Sequence, residues 1–289
     1  LPLTLPLVDD YDPAHQAVGL SLLLHIVAQA TLTELAWHRG LLLEVLERGL
    51  RGGGRDAAAS TLCFAAALAL LREFPIAKGE PVAEATASTP GDEGAGIRIA
   101  QEALSQGGKT TDGEVRVVMV AGAAAFLELP STAKGYAPCK ILRPALLTIL
   151  PILQSPVFST RLDARPAALR ALHALCLACW PRVHAHAVKL LCTLLWTCGD
   201  CTRRRGHTTT TTVDDADHPP GNILSADETV EEYTIKLGAL VLVLTGDAGR
   251  STLREACEAL SALRRVGIAM EELADSARML SEERQEVGI

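Results

Sequence analysis

The stretch Leu3–Val27 constrains the fold most, because it places a short acidic turn between two apolar segments. Asp9, Asp10 and Asp12 mark this turn, since short carboxylates accept hydrogen bonds from the N–H groups that begin a helix. Pro13 follows them and suits the first turn of a helix, where its missing N–H costs nothing. The stretch therefore predicts two helices joined by a tight turn, as in an α-helical repeat. Helical spacing predicts that the core-facing side of the second helix consists of Val18, Leu22, Leu23 and Ile26.

Leucine and alanine dominate a sequence in which 48% of the residues are hydrophobic and only 3% are aromatic. Both are strong helix formers, whereas alternating runs of β-branched residues are almost absent. The net charge of -7 argues against nucleic acid as a main ligand, because phosphate binding needs a concentrated basic surface. We therefore expect an all-α protein that does not act on nucleic acid.

The apolar runs do not predict a membrane protein. Ala57–Leu71 carries no charge but is only fifteen residues long, whereas a spanning helix needs about 20 residues. The sequence begins at Leu1 inside a predicted repeat, so we expect a fragment of a longer chain. Its eight cysteines are scattered through apolar segments, as reduced core thiols would be. This usage favours the cytoplasm and the nucleus.

The acidic turn of the opening stretch recurs later in the chain. Asp163-Ala-Arg-Pro166 resembles Asp10-Tyr-Asp-Pro13, and apolar residues follow both prolines at corresponding positions. The two prolines are 153 residues apart, close to four repeats of about 40 residues. Stacked two-helix units bury apolar stripes that a single unit cannot bury. We therefore predict one domain over residues 1–289, an α-solenoid of the HEAT or armadillo type with about ten to twelve helices.

Two stretches lack an apolar face and predict disordered loops, at 75–96 and at 201–222. The first is rich in proline, glycine and small polar residues, and the second contains three arginines and five consecutive threonines. Glycines predict further helix ends at Gly107-Gly108 and at Gly199, because glycine often follows the last residue of a helix.

Four cysteines form the strongest candidate for chemistry. Cys176 and Cys179 make one CxxC pair, Cys198 and Cys201 make another, and 18 residues separate the pairs. This spacing falls within the usual zinc pattern. The first pair, however, lies on the apolar side of a predicted helix, where small thiols also pack in cores. Zinc binding stays an alternative to core packing. Phosphate-loop and hydrolase motifs are absent, so we expect no catalytic residue and no cofactor.

The acidic turn also carries a family resemblance. The turn Asp9–Pro13 precedes a helix that contains Gly19 and the apolar stretch Leu22–Ile26 with its Leu-Leu-His sequence. This combination resembles the Tel-two-interacting protein two family. The segments Ile141–Leu153 and Pro166–Cys198 are similar, more loosely, to the C-terminal helical region of that family. The resemblance implies a HEAT-like, all-helical scaffold without catalytic activity.

Members of that family belong to the Triple-T (TTT) complex together with two larger helical-repeat subunits. The resemblance implies that this chain acts as a co-chaperone with the ninety-kilodalton heat-shock chaperone machinery. The implied clients are the phosphatidylinositol-three-kinase-related kinases, such as mTOR, ATM and ATR, whose maturation and stability the complex supports. Two alternatives stay open. One is an unrelated HEAT or armadillo protein-binding adaptor, and the other is a zinc-binding helical protein.

Overall fold

The computed structural model describes residues 2–51, 56–72, 94–129, 137–155, 164–208, 229–246 and 251. These residues are helical with short connections, and no strand occurs among them, which confirms the all-α class. The helices are α1 (Thr4–Val8), α2 (Pro13–Gln29), α3 (Leu32–Arg51), α4 (Ala57–Arg72), α5 (Ala95–Lys109), α6 (Gly113–Leu127), α7 (Ala137–Gln154), α8 (Arg165–Ala178), α9 (Trp180–Val183), a 3-10 turn (His184–His186), α10 (Ala187–Thr208) and α11 (229–246).

The helices pack in two layers. In the first layer α1 contacts α3, α3 contacts α5, α5 contacts α7 and α7 contacts α10. In the second layer α2 contacts α4, α4 contacts α6 and α6 contacts α8. Across the layers, α1 contacts α2, α3 contacts α4, α5 contacts α6 and α7 contacts α8. Apolar side chains between the layers, mostly leucine and alanine, form one connected core. No helix among the described residues is long and apolar enough to cross a membrane.

The predicted joint between the first two helices is confirmed, but the predicted core-facing side of α2 is only partly right: Leu23 is buried and Ile26 is half-buried, whereas Val18 and Leu22 are exposed. Gly19, Leu20, Leu23 and Val27 are the buried residues of α2, whereas Val18 is 54% exposed and Leu22 is 45% exposed. The reason is the close approach of α1. A Cβ on Gly19 would lie 2.7 Å from the backbone nitrogen of Val8. Glycine lets the two backbones meet, and this contact orients the helix.

The predicted break from Gly107-Gly108 through Gly113 is confirmed at 110–112, between α5 and α6, but it starts too early, since both Gly107 and Gly108 lie inside α5. A Cβ on Gly107 would lie 3.2 Å from the Cβ of Met119 in α6, and one on Gly108 would lie 3.0 Å from the Cγ2 of Thr148 in α7. These glycines therefore give α5 room to pack against both neighbours. The helix starts at Ala95, so the predicted loop 75–96 is wrong at its last two residues. Its part over 75–93 lies outside the described residues.

The predicted loop 201–222 is wrong over 201–208, because α10 continues to Thr208. Residues 209–222 lie outside the described part of the chain. Buried residues recur along this helix at Leu194, Leu195, Cys198 and Cys201, so its apolar side reaches into the stretch that the sequence assigns to a loop. Consequently Gly199 lies within a helix instead of ending one.

Replacing Gly199 by alanine tests this arrangement. Nothing lies within 4 Å of a Cβ built on Gly199, and positive φ angles among the described glycines occur only at Gly94 and Gly246. We therefore expect Gly199→Ala to raise the free energy of unfolding by about 0.5–1 kcal/mol, because alanine loses less backbone entropy in a helix. Urea unfolding followed by circular dichroism measures this change. A loss of stability would instead support the predicted helix end at Gly199.

The second copy of the acidic turn is only partly reproduced. The helix α8 begins at Arg165 with Ala164 at its N-cap, and no side chain caps it; Asp163 lies outside the described residues. Arg165 is instead buried, with 1% of its surface exposed. Its Nη1 lies 3.3 Å from Oδ2 of Asp200 in α10 and 4.0 Å from Sγ of Cys201. A buried ion pair therefore joins α8 to α10 through Arg165, which occupies the position that the capping residue Asp12 has in the first turn.

Candidate functional site

The carboxylates of the opening turn serve the backbone. Oδ1 of Asp12 accepts a hydrogen bond from the N–H of Ala14 at 2.9 Å, which confirms the predicted helix cap. Oδ1 of Asp10 accepts one from the N–H of Asp12 at 3.0 Å, and its Oδ2 lies 3.0 Å from Nδ1 of His15. The backbone N–H of Asp12 and the His15 side chain hold the pKa of Asp10 below its usual value. These groups fix the path of the chain between α1 and α2.

The four cysteines of the predicted zinc pattern are all buried. Cys176, Cys179 and Cys201 are 0% exposed and Cys198 is 2% exposed. Among the described residues, no group of three or more histidine, cysteine, aspartate or glutamate side chains is arranged to hold a metal ion. The structure therefore does not bring the two CxxC pairs together, and the thiols pack within the core.

A further cysteine lies close to this group. Cys139, near the start of α7, is half-buried, and it lies close enough to Cys179 to affect the pKa of that thiol. Burial raises the pKa of Cys176 to about 12. Burial, together with neighbouring Cys139, raises the pKa of Cys179 to about 12 as well. Both thiols therefore stay protonated near neutral pH, whereas zinc ligands and nucleophiles are thiolates. The sequence offers no signal for Cys139, which lies 40 residues before Cys179.

A groove with a volume of about 440 Å³ lies between α5 and α7. Its residues come from the first layer of helices, together with Arg116 from the start of α6. Leu147 stands at its edge with 61% of its surface exposed. The residues that line the groove are Gln101, Leu104, Ser105, Gly108, Lys109, Arg116, Ile141, Pro144, Ala145, Leu147, Thr148, Pro151 and Ile152.

The groove carries positive charge, and none of the residues that line it has a carboxylate. Lys109 is exposed at the end of α5. The guanidinium of Arg116 donates to the carbonyl of Gly107 at 3.1 Å and to that of Thr110, so it closes the C-terminus of α5. Burial lowers the pKa of Arg116, but an arginine stays charged at neutral pH. The charged end of the groove is thus held in place by the fold.

The carboxylates near α5 face the opposite neighbour. Glu47 of α3 is 8% exposed; it accepts hydrogen bonds from Arg51 at 2.5 Å and from Arg98 of α5 at 3.1 Å. Glu102 of α5 lies 3.6 Å from Arg51. These ion pairs join α3 to α5. Glu47 and Glu102 are therefore engaged away from the groove, whereas Asp112, which caps α6, and Glu114 are exposed and lie between Lys109 and Arg116 in the chain.

Two prolines inside α7 shape the other wall. Pro144 and Pro151 are exposed and line the groove. A proline inside a helix has no N–H for the carbonyl four residues earlier. The carbonyls of Lys140 and Leu147 consequently lack the donor that an α-helix normally provides. They are hydrogen-bond acceptors on the exposed side of α7, beside apolar side chains.

Comparisons with known proteins give no relative for this chain: no protein-family model, no curated protein and no solved structure matches it. The family resemblance therefore depends on the opening sequence, Asp9–Pro13 with Gly19 and Leu22–Ile26.

Proposed function

We propose that this chain is a HEAT-like α-solenoid that acts as a scaffold for protein partners. The observation that carries the proposal is a repeated packing pattern over four helix pairs, α1 with α2, α3 with α4, α5 with α6 and α7 with α8. Each helix of a pair also packs on the corresponding helix of the next pair. Stacked helical repeats have this pattern, because each pair buries its apolar stripe against the next. Such stacks bind proteins through long continuous surfaces.

The specific role that we propose is a subunit of the Triple-T co-chaperone complex. The support is the resemblance of the acidic turn, Gly19 and Leu22–Ile26 to the Tel-two-interacting protein two family. In this proposal the chain has no catalytic activity and works in the cytoplasm and the nucleus. It helps phosphatidylinositol-three-kinase-related kinases to mature with the ninety-kilodalton heat-shock chaperone. An unrelated HEAT or armadillo adaptor is the alternative.

Affinity purification of the full-length protein from its own cells tests the proposal. We expect mass spectrometry to find two larger helical-repeat proteins in stoichiometric amounts. The related kinases and the heat-shock chaperone should accompany them in smaller amounts. A monomer, or a different set of partners, would contradict the Triple-T role and leave the generic adaptor.

The control bait is the same protein carrying Arg165→Ala, which we expect to be strongly destabilised because Arg165 is buried in an ion pair. Chaperones bind unfolded chains without specificity, so only proteins that the control fails to recover count as partners. Metal analysis of the same purified sample tests the zinc alternative. One zinc ion per chain, lost in Cys198→Ser, would support that alternative.

A further inference from the structure

We infer that the groove between α5 and α7 binds an acidic peptide segment of a partner protein. This inference rests on the proposed role of the chain as a protein-binding scaffold, but not on the Triple-T role. The charge of the groove indicates an acidic occupant. The chain as a whole has a net charge of -7, yet the residues that line the groove include cations and no carboxylate. Such a local reversal of charge favours a negatively charged partner.

Cations stand near both ends of the groove. Lys109 and Arg116 lie at the end of α5. On α7, Lys140 and Arg143 are exposed, and each lies one helical turn before a lining residue. The sequence of α7 has no acidic residue that could neutralise them. The lining part of α7, Ile141–Ile152, is about 16 Å long at 1.5 Å per residue, so about five extended residues would reach from one charged end to the other.

The middle of the groove favours a peptide over a nucleic acid. Leu147, which is 61% exposed, and the exposed rings of Pro144 and Pro151 offer apolar surface for an aliphatic side chain. The carbonyls of Lys140 and Leu147, which lack helical donors because of Pro144 and Pro151, can accept hydrogen bonds from backbone N–H groups. No aromatic ring lines the groove, whereas single-stranded nucleic acid is usually bound by stacking on such rings. The matching segment has two aliphatic residues between acidic ones.

Fluorescence polarisation with a defined probe tests this inference on the whole protein. The probe is a fluorescein-labelled peptide, Gly-Asp-Glu-Leu-Leu-Glu-Asp-Gly, and the comparison peptide has asparagine and glutamine in place of the four acids. We expect the wild type to bind the probe, more weakly as salt rises. The double variant Lys109→Glu/Arg143→Glu should bind it at least roughly tenfold more weakly, since repulsion replaces attraction at both ends.

The matched control is Arg182→Glu/Lys189→Glu, which makes the same change in net charge at exposed residues that do not line the groove. It should bind the probe like the wild type, and both variants should keep the wild-type free energy of unfolding. Three results would overturn the inference: no binding of the probe by the wild type, equal weakening in both variants, or displacement of the probe by a single-stranded oligonucleotide at lower concentration than by unlabelled peptide.

Affinity purification separates this inference from the Triple-T role. If the wild type recovers the Triple-T subunits and Lys109→Glu/Arg143→Glu recovers all of them equally, the groove inference fails and the complex stands. If the groove binds the probe as expected but the wild type recovers other partners, the Triple-T role fails and the peptide site stands.

Discussion

Replacing Arg165 by alanine should lower the free energy of unfolding by about 3–5 kcal/mol, the usual cost of removing one partner from a buried ion pair. Arg165 is 1% exposed, and the Asp200 side chain 3.3 Å away is 11% exposed. Alanine would leave the carboxylate of Asp200 buried beside a cavity. Because the pair joins α8 to α10, we expect the loss to affect the packing of both helices. Urea unfolding followed by circular dichroism gives the magnitude.

A matched control lies on the same helix. Arg170 pairs with Glu128 at 2.7 Å, but the two side chains are 45% and 42% exposed. Arg170→Ala should therefore cost at most about 1 kcal/mol. A double variant, Arg165→Met with Asp200→Leu, removes both buried charges and should recover most of the stability lost in Arg165→Ala. Equal losses of unfolding free energy in Arg165→Ala and Arg170→Ala would show that burial does not make the Arg165–Asp200 pair more important for stability than an exposed pair.

The second large effect is expected for Gly19→Ala. The new Cβ would lie 2.7 Å from the nitrogen of Val8 and 2.8 Å from the carbonyl carbon of Leu7. Both are backbone atoms of α1, so no side-chain rotation can relieve the contact. We expect α1 to be displaced and the free energy of unfolding to fall by about 1–3 kcal/mol, as for other overpacked contacts. Hydrogen exchange should show lost protection at Asp9 and Asp10, whose N–H groups donate to the carbonyls of Leu5 and Leu7 in α1.

Gly40→Ala is the control for this change. Gly40 also lies within a helix, α3, but nothing lies within 4 Å of a Cβ built on it. The substitution should raise the free energy of unfolding by about 0.5–1 kcal/mol. The opposite signs at the two positions separate a close approach of helices from the general preference of helices for alanine. If both substitutions stabilise the protein, α1 does not touch α2 as described.

Local signals predict the helices and the first joint well, because the determinants lie within a few residues of each other. Asp12 caps α2 as its position before Pro13 suggests. Prediction from the sequence fails where the position of a residue depends on a neighbour that is distant in the chain. Apolar residues occur on several sides of α2, so periodicity alone does not show whether Leu20 or Leu22 faces the core. The contact of Gly19 with α1 turns the Leu20 side inward. Gly107 and Gly199 predict helix ends by local rules, yet both lie inside helices.

The groove could not be predicted for the same reason. Gly108 and Thr148 come into contact across 40 positions of sequence, and only the alignment of α5 beside α7 places Lys109 near Leu147. The sequence shows the two prolines of α7, but it does not show that they face a groove, because that depends on where α5 lies. The same holds for Cys139 and Cys179, whose thiols meet through the packing of α7 on α8.

The two-layer packing also has a consequence for synthesis of the chain on the ribosome. Within the described residues, the main helix partners of α1, α2, α3 and α4 all precede Leu127, the last residue of α6. These helices therefore meet their main described neighbours within the first 127 residues of this sequence. Their apolar surfaces can be covered as these residues leave the ribosome, without waiting for the helices from α7 onwards.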